Sequence, residues 1–394
     1  MRLRRLGLIF SAEGAENMTD YIYQREEWPK FQWDSEAISE PLAAVSRRQG
    51  RLIGRMEALG FTLREEAVLR TLTQDVLKSS EIEGEILDPD QVRSSIARRL
   101  GMDIGALTPA DRNVEGVVEM MLDATQNYDR PLTRERLFAW HAALFPTGYS
   151  GMNKIIVGGW RDDRDGPMQV VSGPIGREKI HYEAVAAADV PQAMDSFLEW
   201  FNGKPAFDPV VIAALSHLWF VTIHPFEDGN GRSARAIADM ALARSEGTHQ
   251  RFYSMSAQIR LERNAYYDRL ERTQKGDLEI TDWILWFLAC LDRAFDGAED
   301  TLAAVLRKAA YWERFAANAI NDRQRRILNA LLDGFEGKLT SSKYAKITKT
   351  SQDTATRDIN DLLAREMLVK NASGGRSTSY SLPGSISQRI GEAT

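Results

Sequence analysis

The twelve residues from His224 to Arg235, HPFEDGNGRSAR, bring together an imidazole, two adjacent carboxylates, a Gly-Asn-Gly turn and two guanidinium groups. An imidazole with an ordinary pKa near ~6.5 can take a proton from a hydroxyl at neutral pH. Adjacent carboxylates, here Glu227 and Asp228, are hard oxygen ligands of the kind that the metal of a polyphosphate prefers. Gly229 and Gly231, on either side of Asn230, let successive N–H groups converge into a concavity that favours an anion. Arg232 and Arg235 share one face of a helix's first turn, where the dipole adds to their pull on a phosphate. Each part alone is ordinary. Gly-Asn-Gly is usually just a turn, a single histidine beside an apolar helix usually packs, and adjacent acids in a loop are usually solvated. Concentrated in one helix–loop–helix junction, they read as a phosphate site.

The elements that must position these groups are legible on both sides. Val210 to Ile223 (VVIAALSHLWFVTI) is apolar nearly all round and reads as a buried helix, with His217 as a packing residue inside it. Pro225 pushes His224 out of the α region and ends that helix. A second helix is expected to begin near Arg232.

The junction matches HPFx[D/E]GNGRxxR at every defining position and so resembles the signature of the Fic family. The resemblance implies a mainly α-helical catalytic core with a small β-hairpin flap, and transfer of AMP from ATP to a hydroxyl of a protein. In that scheme His224 is the general base and Asp228 holds Mg²⁺ against the α- and β-phosphates. Asn230, with the N–H groups of Gly229 and Gly231, cradles those phosphates next to Phe226. Arg232 takes the β-phosphate and Arg235 the γ-phosphate. A phosphate-transferring relative departs at the second glycine, whereas Gly231 keeps the AMP-transfer form.

A second string lies far upstream. Ser79-Ser80-Glu81-Ile82-Glu83-Gly84 fits [S/T]xxxE[G/N], and Ser79 and Glu83 are spaced to share a helix face that Gly84 would terminate. Alone it is a weak signal. Beside the junction it resembles the inhibitory helix of Fic proteins, which implies that Glu83 pairs with Arg235 and leaves ATP in an unproductive pose. A hundredfold restraint needs only about 2.7 kcal/mol.

Length and composition bound the rest. The 394 residues are 43% hydrophobic and 27% charged, with net charge −6, room for two or three domains. The balance argues against a dedicated nucleic-acid coat but leaves a local basic patch open. The single cysteine, Cys290, excludes an intrachain disulfide and suits a reducing cytosol. No apolar run reaches the ~18 residues of a membrane span. The basic-then-apolar start, MRLRRLGLIF, is too short for a signal-peptide core. Residues 1–17 are therefore expected to be a disordered arm or a mis-assigned start before Met18, and the protein to be cytoplasmic.

Residues 18–110 read as an N-terminal helical domain carrying the inhibitory helix, with Tyr21, Tyr23, Trp28, Phe31 and Trp33 docking onto the core. Residues 111–300 form the catalytic core, with amphipathic helices at Arg134–Leu144 and Val190–Phe201. Ile155–Val157, Met168–Val171 and Ile180–Tyr182 look like short strands. By resemblance they are the flap, whose open edge at Met168, Gln169, Val170 and Val171 pairs with the backbone of a target. Tyr266, Tyr267 and Gln274 fall where relatives contact the nucleotide; the alternative is simple helix packing.

A linker helix (301–321) leads to residues 322–384, which have the plan of a winged helix-turn-helix: three helices, the last from an N-cap at Ser351 to Met367, then a two-stranded wing around Gly374-Gly375. Lys343, Lys346, Lys349, Arg357 and Arg376 supply a basic face for DNA. Dimerisation or protein docking is the alternative use, and 385–394 is a tail. The leading reading is an autoinhibited protein adenylyltransferase using ATP and Mg²⁺ on a Tyr, Thr or Ser hydroxyl, its own included. The rivals are a de-AMPylating phosphodiesterase, with Glu83 orienting water, and a DNA-binding regulator with a low-activity core. A homodimer stays open, as does the identity of the target.

Overall fold

A computed structural model of the chain describes the backbone of residues 2–4 and residues 21–104, 107–164, 166–174, 177, 179–203, 205–335, 337–371 and 378–384. The first 17 residues apart from 2–4, Arg376, the Gly374-Gly375 pair and the tail lie outside the described residues. The chain divides into two units: residues 1–59 with 68–298, and residues 60–67 with 299–394.

In the larger unit, β1 is Arg2–Arg4, and α1 (Ser35–Glu57) is capped by Asp34, whose side chain accepts from Glu36 and Ala37 N–H. Helix α2 (Phe61–Ile82) is followed by α3 (Pro89–Leu100), α4 (Arg112–Gln126) and α5 (Arg134–Leu144). Four short strands come next: β2 (Tyr149–Ser150), β3 (Asn153–Lys154), β4 (Gln169–Ser172) and β5 (Lys179–Glu183). Ile155–Val157 is not a strand; pairing is confined to Tyr149↔Lys154 and Ser150↔Asn153, immediately before it.

Helices α6 (Val190–Asn202), α7 (Pro209–Ile223) and α8 (Asn230–Glu246) form the centre, with α7 packed along α8. From Val210 to Ile223 every residue of α7 except Ile212 is buried, as an all-round apolar helix requires. Helices α9 (Met255–Leu261) and α10 (Arg263–Gln274) follow. Helix α11 (Thr281–Arg314) is continuous across residue 300, with no proline to interrupt it. The aromatic start docks within this unit: Tyr21 meets Tyr182 edge-on at 5.1 Å, and Trp28 and Phe31 meet Trp219 at 6.1 and 5.9 Å.

The smaller unit contains α12 (Asp322–Leu332), α13 (Ser341–Thr348), α14 (Gln352–Ala364), and an antiparallel pair, β6 (Val369–Lys370) and β7 (Tyr380–Ser381). Ser351 caps α14 by accepting from Thr354 N–H. The helix stops at Ala364 rather than Met367, because Glu366 turns left-handed and Met367 enters the core. Asp358 is the polar hub of this unit, accepting from Arg323, Asn321 and Tyr344. Among the described residues no helix is long and apolar enough to cross a membrane.

Candidate active site

The C-terminus of α7 and the N-terminus of α8 meet at the motif loop. His224 caps α7 in a left-handed conformation, φ 54° and ψ 58°, with its N–H on Phe220 C=O. Pro225 thus does end the helix, by a left-handed turn. Gly229 (φ 80°) turns the chain into α8, which begins two residues earlier than expected, at Asn230. The loop is stapled by the Asn230 amide: Oδ1 accepts from Phe226 N–H at 2.9 Å and Nδ2 donates to Phe226 C=O at 2.8 Å. Its amide, expected at the phosphates, therefore shapes the loop. Phe226 is fully buried and stacks on His141 at 4.2 Å, so it anchors the loop from beneath.

The His224 ring is held through one nitrogen only. Nδ1–H donates to Val221 C=O at 3.2 Å, which fixes the tautomer and leaves the Nε2 lone pair; Nε2 is buried and has no hydrogen-bond partner. Burial and the charge of Arg161 depress its pKa to about 4, against the upward pull of the Val221 carbonyl, Asp228 and Glu83. The base is thus neutral well below physiological pH. For the free enzyme, kcat/KM should keep its full value down to pH 5.5 and fall only as pH drops through about 4. A histidine titrating at its ordinary value would already have lost about tenfold at pH 5.5. The Glu83→Gly variant should shift the limb no higher, since Glu83 raises this pKa; initial rates against pH measure both.

A cavity of about 960 Å³ opens before this ring. Its wall includes His224, Asp228, Gly231, Arg232, Tyr266, Tyr267, Gln274 and, from the flap, Val170. Gln274 donates weakly to Thr222 Oγ1 (3.3 Å), Tyr266 Oη meets His217 Nε2 (2.8 Å), and Tyr267 Oη is buried without a partner. Arg232 Nε and Arg235 Nη1 are buried and unpartnered too. Unsatisfied polar atoms on three residues that line one concavity, His224, Arg232 and Tyr267, are costly unless something polar binds there.

Ser79 and Glu83 come to Arg235 across more than 150 residues of sequence. Arg235 Nε donates to Ser79 Oγ (3.0 Å), and Nη2 donates to Ser79 C=O (2.9 Å) and Glu83 Oε1 (2.9 Å). Burial pushes the Glu83 carboxyl up, but the charge and hydrogen bond of Arg235, with the charge of Arg232, hold it below the ordinary range. The fit depends on Gly231: a methyl group there would lie 2.2 Å from Glu83 Oε1. Glu83 therefore occupies the anion-favouring N-terminus of α8. Asp75, a turn earlier on α2, accepts from the Ser254 hydroxyl and pins the same helix.

Beside the site, β4 pairs with β5 and, on its other edge, with β1, in the register Arg2↔Val171, Leu3↔Val170 and Arg4↔Gln169. The edge expected to be open thus carries the chain's own backbone, as unpaired N–H and C=O groups invite. Met168 and Val171 are buried, while Gln169 and Val170 are partly exposed. A chain of polar groups ties the flap to α10: Ser172 Oγ to His181 Nε2 (2.5 Å), and His181 Nδ1 to Glu271 (2.5 Å).

Sequence reading missed several residues that hold the motif. Arg161 is buried and donates to the carbonyls of His224 (2.7 Å) and Val185. His141 takes Gly158 N–H on Nδ1 (3.3 Å) and meets Asp228 C=O through Nε2 (3.2 Å); burial depresses its pKa to about 4. Ser150 donates to Asp228 Oδ2. A buried polar residue on the inner face of α5 was the available signal for His141; Arg161, in a polar loop, offered none.

Fold and site together define a helical core built round a glycine-rich loop that presents two arginines and a helix N-terminus. Residues 131–242 match the family model Fic/DOC family, and residues 21–102 match a domain of unknown function, DUF4172. Over residues 131–242 the chain is thus similar to the Fic/DOC family. The protein adenylyltransferase Fic of Aedes aegypti is 34% identical over 110 residues, 27% of this chain and 20% of that protein. That of Drosophila yakuba is 26% identical over 234 residues, 57% of this chain and 41% of that protein. The chain thus spans well under half the length of these relatives. In fold, it resembles the crystal structure of a Fic family protein from Desulfovibrio desulfuricans, with TM-score 0.50, 21% identity and coverage of 88% of this chain and 96% of that one.

Proposed function

We propose that this chain is a protein adenylyltransferase that moves AMP from ATP to a Tyr, Thr or Ser hydroxyl of a protein and is restrained by its own Glu83. The observation that carries the reading is the His224 ring: Nδ1 engaged, Nε2 unpartnered, and the cavity before it walled by Asp228 and Arg232. Nε2 takes the proton of the target hydroxyl as its oxygen attacks the α-phosphorus, and pyrophosphate leaves with the electron pair of the broken P–O bond. Asp228 suits Mg²⁺: one oxygen accepts from Gly229 N–H (2.6 Å) and the other from Ser150. Held here, Mg²⁺ would have this one carboxylate and the substrate phosphates as ligands. Such an ion would neutralise phosphate charge. The β4 edge now carrying Arg2–Arg4 is where a target backbone would add. ATP labelled at the α-phosphate should leave covalent label on protein, and ATP labelled at the γ-phosphate none; the reverse pattern would replace AMP transfer by phosphate transfer.

For residues 322–384 we propose contact with duplex DNA, supported by the helix order ending in α14, whose exposed face carries Gln352, Thr356, Arg357 and Asn360. The full chain should bind a duplex at low salt, with affinity falling steeply as salt rises. Arg357→Ala should weaken it. Absence of binding in gel-shift or anisotropy titrations favours protein docking.

A further inference from the structure

The turn that delivers Glu83 delivers a second carboxylate. Glu85 Oε2 accepts from Arg232 Nη1 at 2.7 Å, while Glu83 accepts from Arg235 at 2.9 Å. The two partners are the two arginines of the motif, both nearly buried, with side-chain exposures of 7% and 2%. Gly84 makes the double reach possible. Its φ of +87° is a left-handed turn, so Glu83 N–H and Glu85 N–H both return to Ser80 C=O, at 3.1 and 3.0 Å. A Cβ at Gly84 would meet nothing, so the backbone angle and not space calls for glycine. The Arg232 guanidinium also lies over the Phe145 ring at 5.1 Å, which holds it in place for whichever anion arrives.

We propose that Glu85 is a second inhibitory residue: it occupies Arg232, the partner assigned above to the β-phosphate, so the Glu83-Gly84-Glu85 turn blocks both phosphate arginines at once. This rests on the nucleotide reading of the site. The two carboxylates act differently. Glu83 opposes the γ-phosphate and the productive pose, whereas Glu85 opposes any nucleotide that carries a β-phosphate. Glu85→Gln therefore tightens ADP and ATP binding and leaves AMP binding alone. Because Arg232 stays engaged when only Glu83 is removed, Glu83→Gly with Glu85→Gln labels faster at sub-saturating ATP than Glu83→Gly alone.

The test is calorimetric titration of the full-length wild type and Glu85→Gln with AMP, ADP and ATP in Mg²⁺, none of which requires turnover. Glu85 is about one-third exposed and the replacement keeps its shape, so the fold is retained; thermal melting verifies this. The expected result is an ADP Kd lowered about fivefold, the upper range for a partly exposed ion pair, with the AMP Kd unchanged within about twofold. Equal ADP affinity in the two proteins, or an equal gain for AMP, overturns the proposal while leaving the nucleotide reading intact. Failure of all three nucleotides to bind either protein overturns that reading, and this proposal with it. Tighter ADP binding in a protein that never transfers AMP upholds the Glu85 contact and removes only the transfer reaction.

Discussion

Replacing His224 by alanine should lower AMP transfer by about 10²- to 10⁴-fold, the usual cost of losing a general base. The ring makes one hydrogen bond inside the protein, from Nδ1 to Val221 C=O, and Nε2 makes none. Little of the loop depends on the side chain. The loop is held instead by the Asn230–Phe226 pair and by Arg161 on the His224 carbonyl, which alanine retains. ADP should accordingly bind the variant as it binds wild type. Single-turnover labelling from α-labelled ATP, with parallel ADP titration, separates the two effects. Labelling within a few-fold of wild type would show that another group takes the proton.

Glu83→Gly should act in the opposite direction and raise labelling at least tenfold, which corresponds to about 1.4 kcal/mol. In the resting protein the carboxylate sits against Gly231 and on Arg235 Nη2, at the positive end of α8. A γ-phosphate needs the same guanidinium and the same helix end. Two anions cannot share them, and the resident carboxylate has the advantage of being tethered. Removing it frees a fork suited to bidentate phosphate binding. Arg235 keeps Ser79 Oγ and Ser79 C=O as acceptors, so the variant should still fold. Adding Arg235→Ala should abolish the gain, because the released partner is then missing. Labelling no faster than wild type would reduce Glu83 to a helix-end residue. Loss of AMP removal from a pre-modified protein would place the hydrolytic reading ahead.

Local signals were legible where short-range physics sets the outcome. The all-round apolar run became α7, Pro225 marked its end, and Arg134–Leu144 fell where periodicity placed it. The motif loop followed from its glycines, and the i, i+4 spacing of Ser79 and Glu83 did put both on Arg235. Boundaries set by competition were less legible. Ile155–Val157 has strand-forming residues but no strand partner, and α14 stops at Ala364 rather than Met367.

What the sequence by itself determined is the chemistry of the site: which groups are present and how a dozen adjacent residues must turn to converge. Only the tertiary structure decided which of those groups face the cavity. It tied the Asn230 amide to the Phe226 backbone and turned the Phe226 ring inward, since a buried loop must satisfy its own backbone and fill its own core. It also brought in Arg161, His141 and Ser150, and set Glu85 on Arg232. Contacts between residues 147 apart leave no periodic trace in a chain. They arise where the end of α2 and the turn after it meet the two arginines of α8, and burial then makes each unpaired charge costly enough to fix its partner.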